Sequence, residues 1–202
     1  MVRRARPAAW ILPCVLFAAS PALAGERDHL GGFFLRLSGG LGYGSTSIES
    51  QRTDYEFSGG AGNINLAIGG GIASNLALHG TIWGWSVDGP DFKIDGETIT
   101  SVRTDLSMGA VGGGLTYYIM PANVYLSGSL GFGSLTADGP DLEGESDTGF
   151  AADATLGKEW WVGGKWGLGI AGGVGFHSIG DDFVDSNWSG VNVDLRFTAT
   201  LN

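Results

Sequence analysis

From Phe33 to Leu201 the chain alternates apolar with small or polar residues, segment after segment, at a period of two. That is the side-chain period of a β-strand, whose successive residues point to opposite faces. In the first segment Phe33, Leu35, Leu37, Leu41 and Tyr43 share one face, against Arg36, Ser38, Gly40, Gly42 and Gly44. In the last, Val191, Val193, Leu195, Phe197, Ala199 and Leu201 oppose Asn192, Asp194, Arg196, Thr198 and Thr200. Four more segments, around 63–69, 124–133, 150–160 and 166–177, repeat this cleanly. Two are less regular. Around 76–87, Leu76, Leu78 and Ile82 oppose His79, Thr81, Trp83 and Trp85. Around 103–119 the apolar phase changes near Gly109, from Leu106 and Met108 to Val111 and Leu115, which predicts a bulge there. Helical spacing is nowhere sustained, and 37 glycines in 202 residues would weigh against helices. The expectation is an all-β chain of eight strands.

The connections alternate in length. Short ones fall at 73–75, 120–123 and 162–165, and long ones at about 45–57, 88–101, 134–148 and 178–189. Pro90, Pro121 and Pro140 all lie in connections, where a missing backbone donor does no harm. Ahead of the strands, Met1 to Ala24 reads as a secretory signal peptide. It has Arg3, Arg4 and Arg6, an apolar run from Ala8 to Ala19, and a small-residue cleavage site at Ala22-Leu23-Ala24. The run is too short to span a bilayer as a helix. The division expected is therefore a cleaved leader at 1–24, a short N-terminal segment at 25–31 and a barrel domain at 32–202. Cleavage would remove Cys14, the only cysteine, and with it any disulfide, thiolate nucleophile or cysteine metal site.

Two all-β solutions bury such strands. A soluble barrel has an apolar interior and a charged exterior, and a membrane barrel reverses this. Across the six clean strands the apolar faces carry one charge, Lys158, near a strand end. The opposite faces are mostly Gly, Ser, Asn, Ala and Thr, far too bare of Lys and Glu for a surface in water. The membrane barrel fits: apolar faces toward lipid, small and polar faces within a narrow lumen. Closure would also pair every backbone group, which hydrocarbon demands. Aromatic residues cluster at both strand ends, as interface belts do. Phe33, Tyr118, Trp160, Trp166 and Phe197 lie near the short turns, and Tyr43, Phe132, Phe150, Phe176 and Trp188 near the long loops.

With these features in hand, three stretches carry a resemblance: 32–44 (GFFLRLSGGLGYG), 123–133 (NVYLSGSLGFG) and 156–162 (LGKEWWV). The chain resembles the small outer-membrane β-barrels of the outer-membrane protein A, protein X and opacity-protein type. The likeness implies an eight-stranded antiparallel up-and-down barrel in a Gram-negative outer membrane, with periplasmic termini and extracellular long loops. It also implies a monomer in contact with outer-membrane lipid, lipopolysaccharide and the assembly machinery. Such proteins commonly end in an aromatic residue, whereas this chain ends Thr200-Leu201-Asn202, with Phe197 upstream.

The charges sort by position. Of 21 acidic residues, 15 lie in the four long loops, offset there by Arg52 and Lys93 alone. Like-charge blocks are usually solvated faces, and bridging to lipopolysaccharide phosphates by divalent cations is the sharper alternative. No nucleic-acid partner is expected of so acidic a chain, and no cofactor or metal site is expected. The inward charges are Arg36, Asp153, Glu159, Asp194 and Arg196, and their number and position predict a buried ion network that plugs the lumen. No catalytic residues are assigned: His177 and Ser178 are adjacent and so point to opposite faces, and His79 lies near the other end of its strand. The expected role is structural or surface contact without enzymatic activity. The alternatives are a narrow porin-like channel and, third, a lipid A-modifying enzyme of the kind some such barrels are.

Overall fold

The computed structural model describes residues 29, 32–50, 53–99, 104–140, 143–181 and 186–202. The leader at 1–24 and most of 25–31 lie outside these residues, as do Arg52, Asp141, Asp182 and Asp185. Every regular element among the described residues is a strand. Eight long strands form the wall: β1 (Phe33–Ser50), β2 (Thr53–Ala73), β3 (Leu76–Asp88), β6 (Asp105–Ile119), β7 (Val124–Asp138), β9 (Gly149–Trp161), β10 (Trp166–Asp181) and β11 (Ser186–Leu201). Three short ones, β4 (Asp91–Ile94), β5 (Glu97–Ile99) and β8 (Gly144–Glu145), lie in the second and third long connections. Each wall strand pairs antiparallel with its sequence neighbours in the wall, and β1 also pairs with β11, from Leu35 opposite Leu201 to Ile48 opposite Trp188. The sheet is therefore a closed eight-stranded up-and-down barrel.

The short connections fall where the sequence places them, and the long ones are shorter than expected because the strands run on. β1 and β2 stay paired from Phe33 opposite Gly70 out to Ser50 opposite Thr53, so most of 45–57 is ribbon. β4 extends the wall beside β2, pairing Phe92 with Phe57, and folds back into β5 through Asp95-Gly96. Both turn residues have positive φ, 50° and 82°, the two-residue hairpin geometry that favours Asp-Gly.

The bulge expected near Gly109 is absent. β6 pairs in unbroken register with β7 from Asp105 to Ile119 and with β3 from Asp105 to Tyr117. Leu106 and Met108 point inward and Val111 and Leu115 outward on one regular strand. The phase change reflects a lumen that is itself apolar at that height. The register shift that does occur lies between Gly71 and Ala73 of β2, beside its turn.

The barrel is inside-out relative to a protein in water. Large apolar side chains cover its outer surface, Leu41 and Phe197 each 77% exposed, while both lumen arginines are buried. Two residues assigned to the aromatic belts are on the other face. Tyr118 is an even-numbered residue of β6 and lies in the lumen, 1% exposed, hydrogen-bonded to Arg36 and Glu159. Trp188 packs against the interior apolar cluster, its ring 5.9 Å from that of Phe57. Phe33, Tyr43, Phe132, Phe150, Trp160, Trp166, Phe176 and Phe197 are exposed on the outer face.

Candidate functional site: the filled lumen

Eight strands leave a lumen only as wide as the side chains that fill it, so its function is decided by which side chains those are. Three tiers fill this one, stacked from the short-turn end to the long-loop end.

The first tier is built on Arg36 of β1. Its Nη2 donates to the Tyr118 hydroxyl at 2.7 Å, its Nε to Thr200 Oγ1 at 3.2 Å, and Nη2 lies 3.4 Å from Glu159 Oε1. Thr200 donates to Glu159 at 2.6 Å and Tyr118 to its other oxygen at 3.3 Å. The guanidinium lies 3.8 Å from the Tyr125 ring centroid. Arg36 faces Thr200 across the β1–β11 seam, so its hydrogen bond to Thr200 fastens the strands that close the barrel, while the ion pair to Glu159 ties β1 across the lumen to β9. Phe34 and Tyr125, absent from the sequence-level site, complete the packing. Their signal was available, since each sits between outward-facing neighbours.

The second tier centres on Arg196 of β11. It bridges Asp153 of β9, at 2.6 and 3.0 Å, and Asp194 on its own strand, at 2.5 and 2.8 Å. Thr155 donates to Asp153 and Asn192 to Asp194, so each carboxylate has a further donor. The five lumen charges thus form two separate clusters: Arg36 with Glu159, and Arg196 with Asp153 and Asp194. A void of about 10 Å³ lies between them, lined by Ser38, Asn65, His79 and Ser129 among others. It is about the size of one water.

The third tier is apolar. Phe57, Trp83, Trp85, Val87, Leu106, Met108, Leu135 and Ile179 form one buried cluster across the long-loop half of the lumen. Phe92 and Trp188 pack onto it from the rim. The indole N–H groups of Trp83 and Trp85 meet no acceptor among the described residues, so dispersion and burial hold them. This overturns the sequence-level picture of a small and polar interior throughout.

Both strand histidines are in the lumen. His79 Nε2 lies 3.1 Å from Thr116 Oγ1, itself 2.9 Å from Ser127 Oγ. His177 Nε2 lies 2.9 Å from Thr46 Oγ1, and Ser178 points the other way. His29, ahead of β1, stacks on Tyr118 with ring centroids 3.6 Å apart and meets Asn123 Oδ1 at 2.9 Å. Its backbone exchanges hydrogen bonds with Asn75. Asn75 and Asn123 are the left-handed residues of two short turns, with φ of 62° and 50°. Together these contacts hold His29 at the mouth.

No family model and no curated protein matches the chain. Among solved structures it resembles Neisserial surface protein A, at a TM-score of 0.51 and 12% identity over 85% of this chain and 97% of that one. The fold is that of the small outer-membrane β-barrels. Two further resemblances are to the outer-membrane protein OprG from Pseudomonas aeruginosa and the outer-membrane protease OmpT from Escherichia coli. OprG has a TM-score of 0.44 and 13% identity over 86% of this chain and 98% of that one. OmpT has 0.47 and 9% over 84% and 96%.

Proposed function

We propose that this chain is an integral outer-membrane barrel, plugged and non-enzymatic, that acts as a structural or surface-contact element of the envelope. The observation that carries this reading is the third tier. A water-filled pore needs a continuous polar path, and here indoles and aliphatic side chains fill the lumen on the long-loop side of the ion clusters. What remains for function is the outside: an apolar band, and raised acidic loops on ribbons such as β1–β2 and β4–β5. The short turns and both termini face the periplasm in this reading, as short turns do in such barrels. The barrel acts as a monomer, inserted by the outer-membrane assembly machinery and surrounded by outer-membrane lipid and lipopolysaccharide.

Two measurements test it. After membrane fractionation, the unheated protein should migrate as a compact band in the outer-membrane fraction and shift on boiling. In planar bilayers the purified barrel should be silent, while Trp85→Ala combined with Trp83→Ala should produce openings. Steady openings of the unmodified protein would overturn the plugged reading in favour of a narrow channel.

A further inference from the structure

Apart from acidic residues at the long-loop rim, Lys158 is the one charged side chain on the outer face of the described wall strands. It lies two residues inside Trp160 on β9, directly opposite Val124 of β7 and Ile170 of β10. A lysine inside an aromatic belt is costly unless its ammonium reaches back to the interface. This one does, donating to the Ala122 carbonyl in the β6–β7 turn and lying 5.6 Å from the Trp160 ring. An ammonium has three donors, so that single acceptor leaves capacity for another ligand.

Beside Lys158 an outward groove of about 490 Å³ runs toward mid-barrel. Its floor is Gly172, whose register partners are Leu156 and Leu195. A side chain built there would meet nothing closer than 4.0 Å, so the missing Cβ leaves a notch between two leucines. Ile170 and Phe197 wall the end nearer Lys158. The groove is thus cationic at the short-turn end and apolar toward the midplane.

We infer that this groove binds one phospholipid of the periplasmic leaflet, with a phosphate oxygen on the Lys158 ammonium and an acyl chain in the Gly172 notch. The inference rests on the membrane orientation proposed above. The order of polarity along the groove matches a lipid in that leaflet, headgroup at the turns and chain toward the centre. A second copy of the chain fits less well. The outer face carries no carboxylate in this band among the described residues, so a dimer would bury Lys158 without a counter-charge.

Native mass spectrometry of the detergent-purified barrel, titrated with phosphatidylglycerol and with diacylglycerol of the same chains, tests this. The unmodified protein should retain one phosphatidylglycerol in clear preference to diacylglycerol. Lys158→Gln should lower that retention about tenfold, Lys158→Arg should restore it, and Gly172→Leu should abolish it. Gly109→Leu, also on the outer face but outside the groove, should change nothing. Equal retention across folded variants, equal retention of diacylglycerol, or a dimer lost in Gly172→Leu would each overturn the inference. Heat-modifiable migration in bilayers reports folding independently. A chain without a folded band would overturn the membrane reading as well, whereas folded variants with unchanged retention would overturn this site alone.

Discussion

Removing Arg196 puts the buried charge chemistry to its most direct test. The guanidinium makes five hydrogen bonds of 2.5 to 3.3 Å, four to Asp153 and Asp194 and one to Thr155. All three charged residues are buried in the lumen. Arg196→Met keeps much of the apolar stem and deletes the charge, leaving two carboxylates facing one another. Breaking a buried pair by removing one partner typically costs about 3–5 kcal/mol. Here the upper end is expected, because two carboxylates are orphaned together. Asp153→Asn should cost less, about 1–3 kcal/mol, because Arg196 keeps Asp194 and the amide still offers an oxygen to accept a hydrogen bond. The triple variant Arg196→Met, Asp153→Asn, Asp194→Asn has no orphaned charge and should recover most of the loss. Urea unfolding in lipid vesicles, followed by tryptophan fluorescence, reads all three. An Arg196→Met barrel within about 1 kcal/mol of the parent would refute the reasoning, since a buried orphan is expected to cost several times that. So would a triple variant no more stable than the single.

Further outcomes follow from packing and from the mouth. Gly112 and Gly131 face one another across β6 and β7, and a Cβ at Gly112 would lie 2.1 Å from the Leu130 carbonyl oxygen. Gly112→Ala should therefore destabilise by about 1–3 kcal/mol, as overpacking does. Gly128→Ala, where an outward Cβ meets nothing within 4 Å, should be neutral or slightly stabilising in the same unfolding assay. At the mouth, burial holds the His29 imidazole below its ordinary 6.5, against the opposing pull of Asn123 and of the Glu159 charge. The undocked segment then binds the proton more readily than the docked one. Docking is at full strength above about pH 6.5 and weakens as pH falls below it. Limited proteolysis of the N-terminal segment should accelerate on acidification, and His29→Phe should remove that pH dependence.

Alternation, strand number, the short turns and the outward aliphatic faces were legible because each rests on a local pattern of period two. The five inward charges were equally legible, since parity alone assigns them to the lumen. Their division into two clusters was not. It depends on stagger between strands, which brings Arg36 beside Glu159 and Arg196 beside Asp153, 123 and 43 residues apart in sequence. Tyr118 shows the limit of reasoning from strand ends: an aromatic near a turn reads as a belt residue, yet its parity on β6 turns it inward. Leu106 and Met108 show a related limit. Alternation read as apolar-out fails wherever the inside is apolar too, and a regular strand then resembles a bulged one.

That two-sided apolar stretch also separates the barrel's two internal tasks. The ion clusters lie toward the short-turn end, where Arg36 faces Thr200 across the β1–β11 seam and fixes the register on which closure depends. A one-residue slip there would turn either Arg36 or the Asp194–Arg196 pair toward lipid. The indole and aliphatic cluster lies toward the long loops, where it excludes water without specifying pairing, because dispersion is not directional in the way a bidentate ion pair is. Register comes from one half and sealing from the other. A substitution in the upper cluster, such as Trp85→Ala, should therefore admit water while the strands stay in register. One in the lower clusters, such as Arg36→Leu, should lower stability while Trp83 and Trp85 keep the lumen shut.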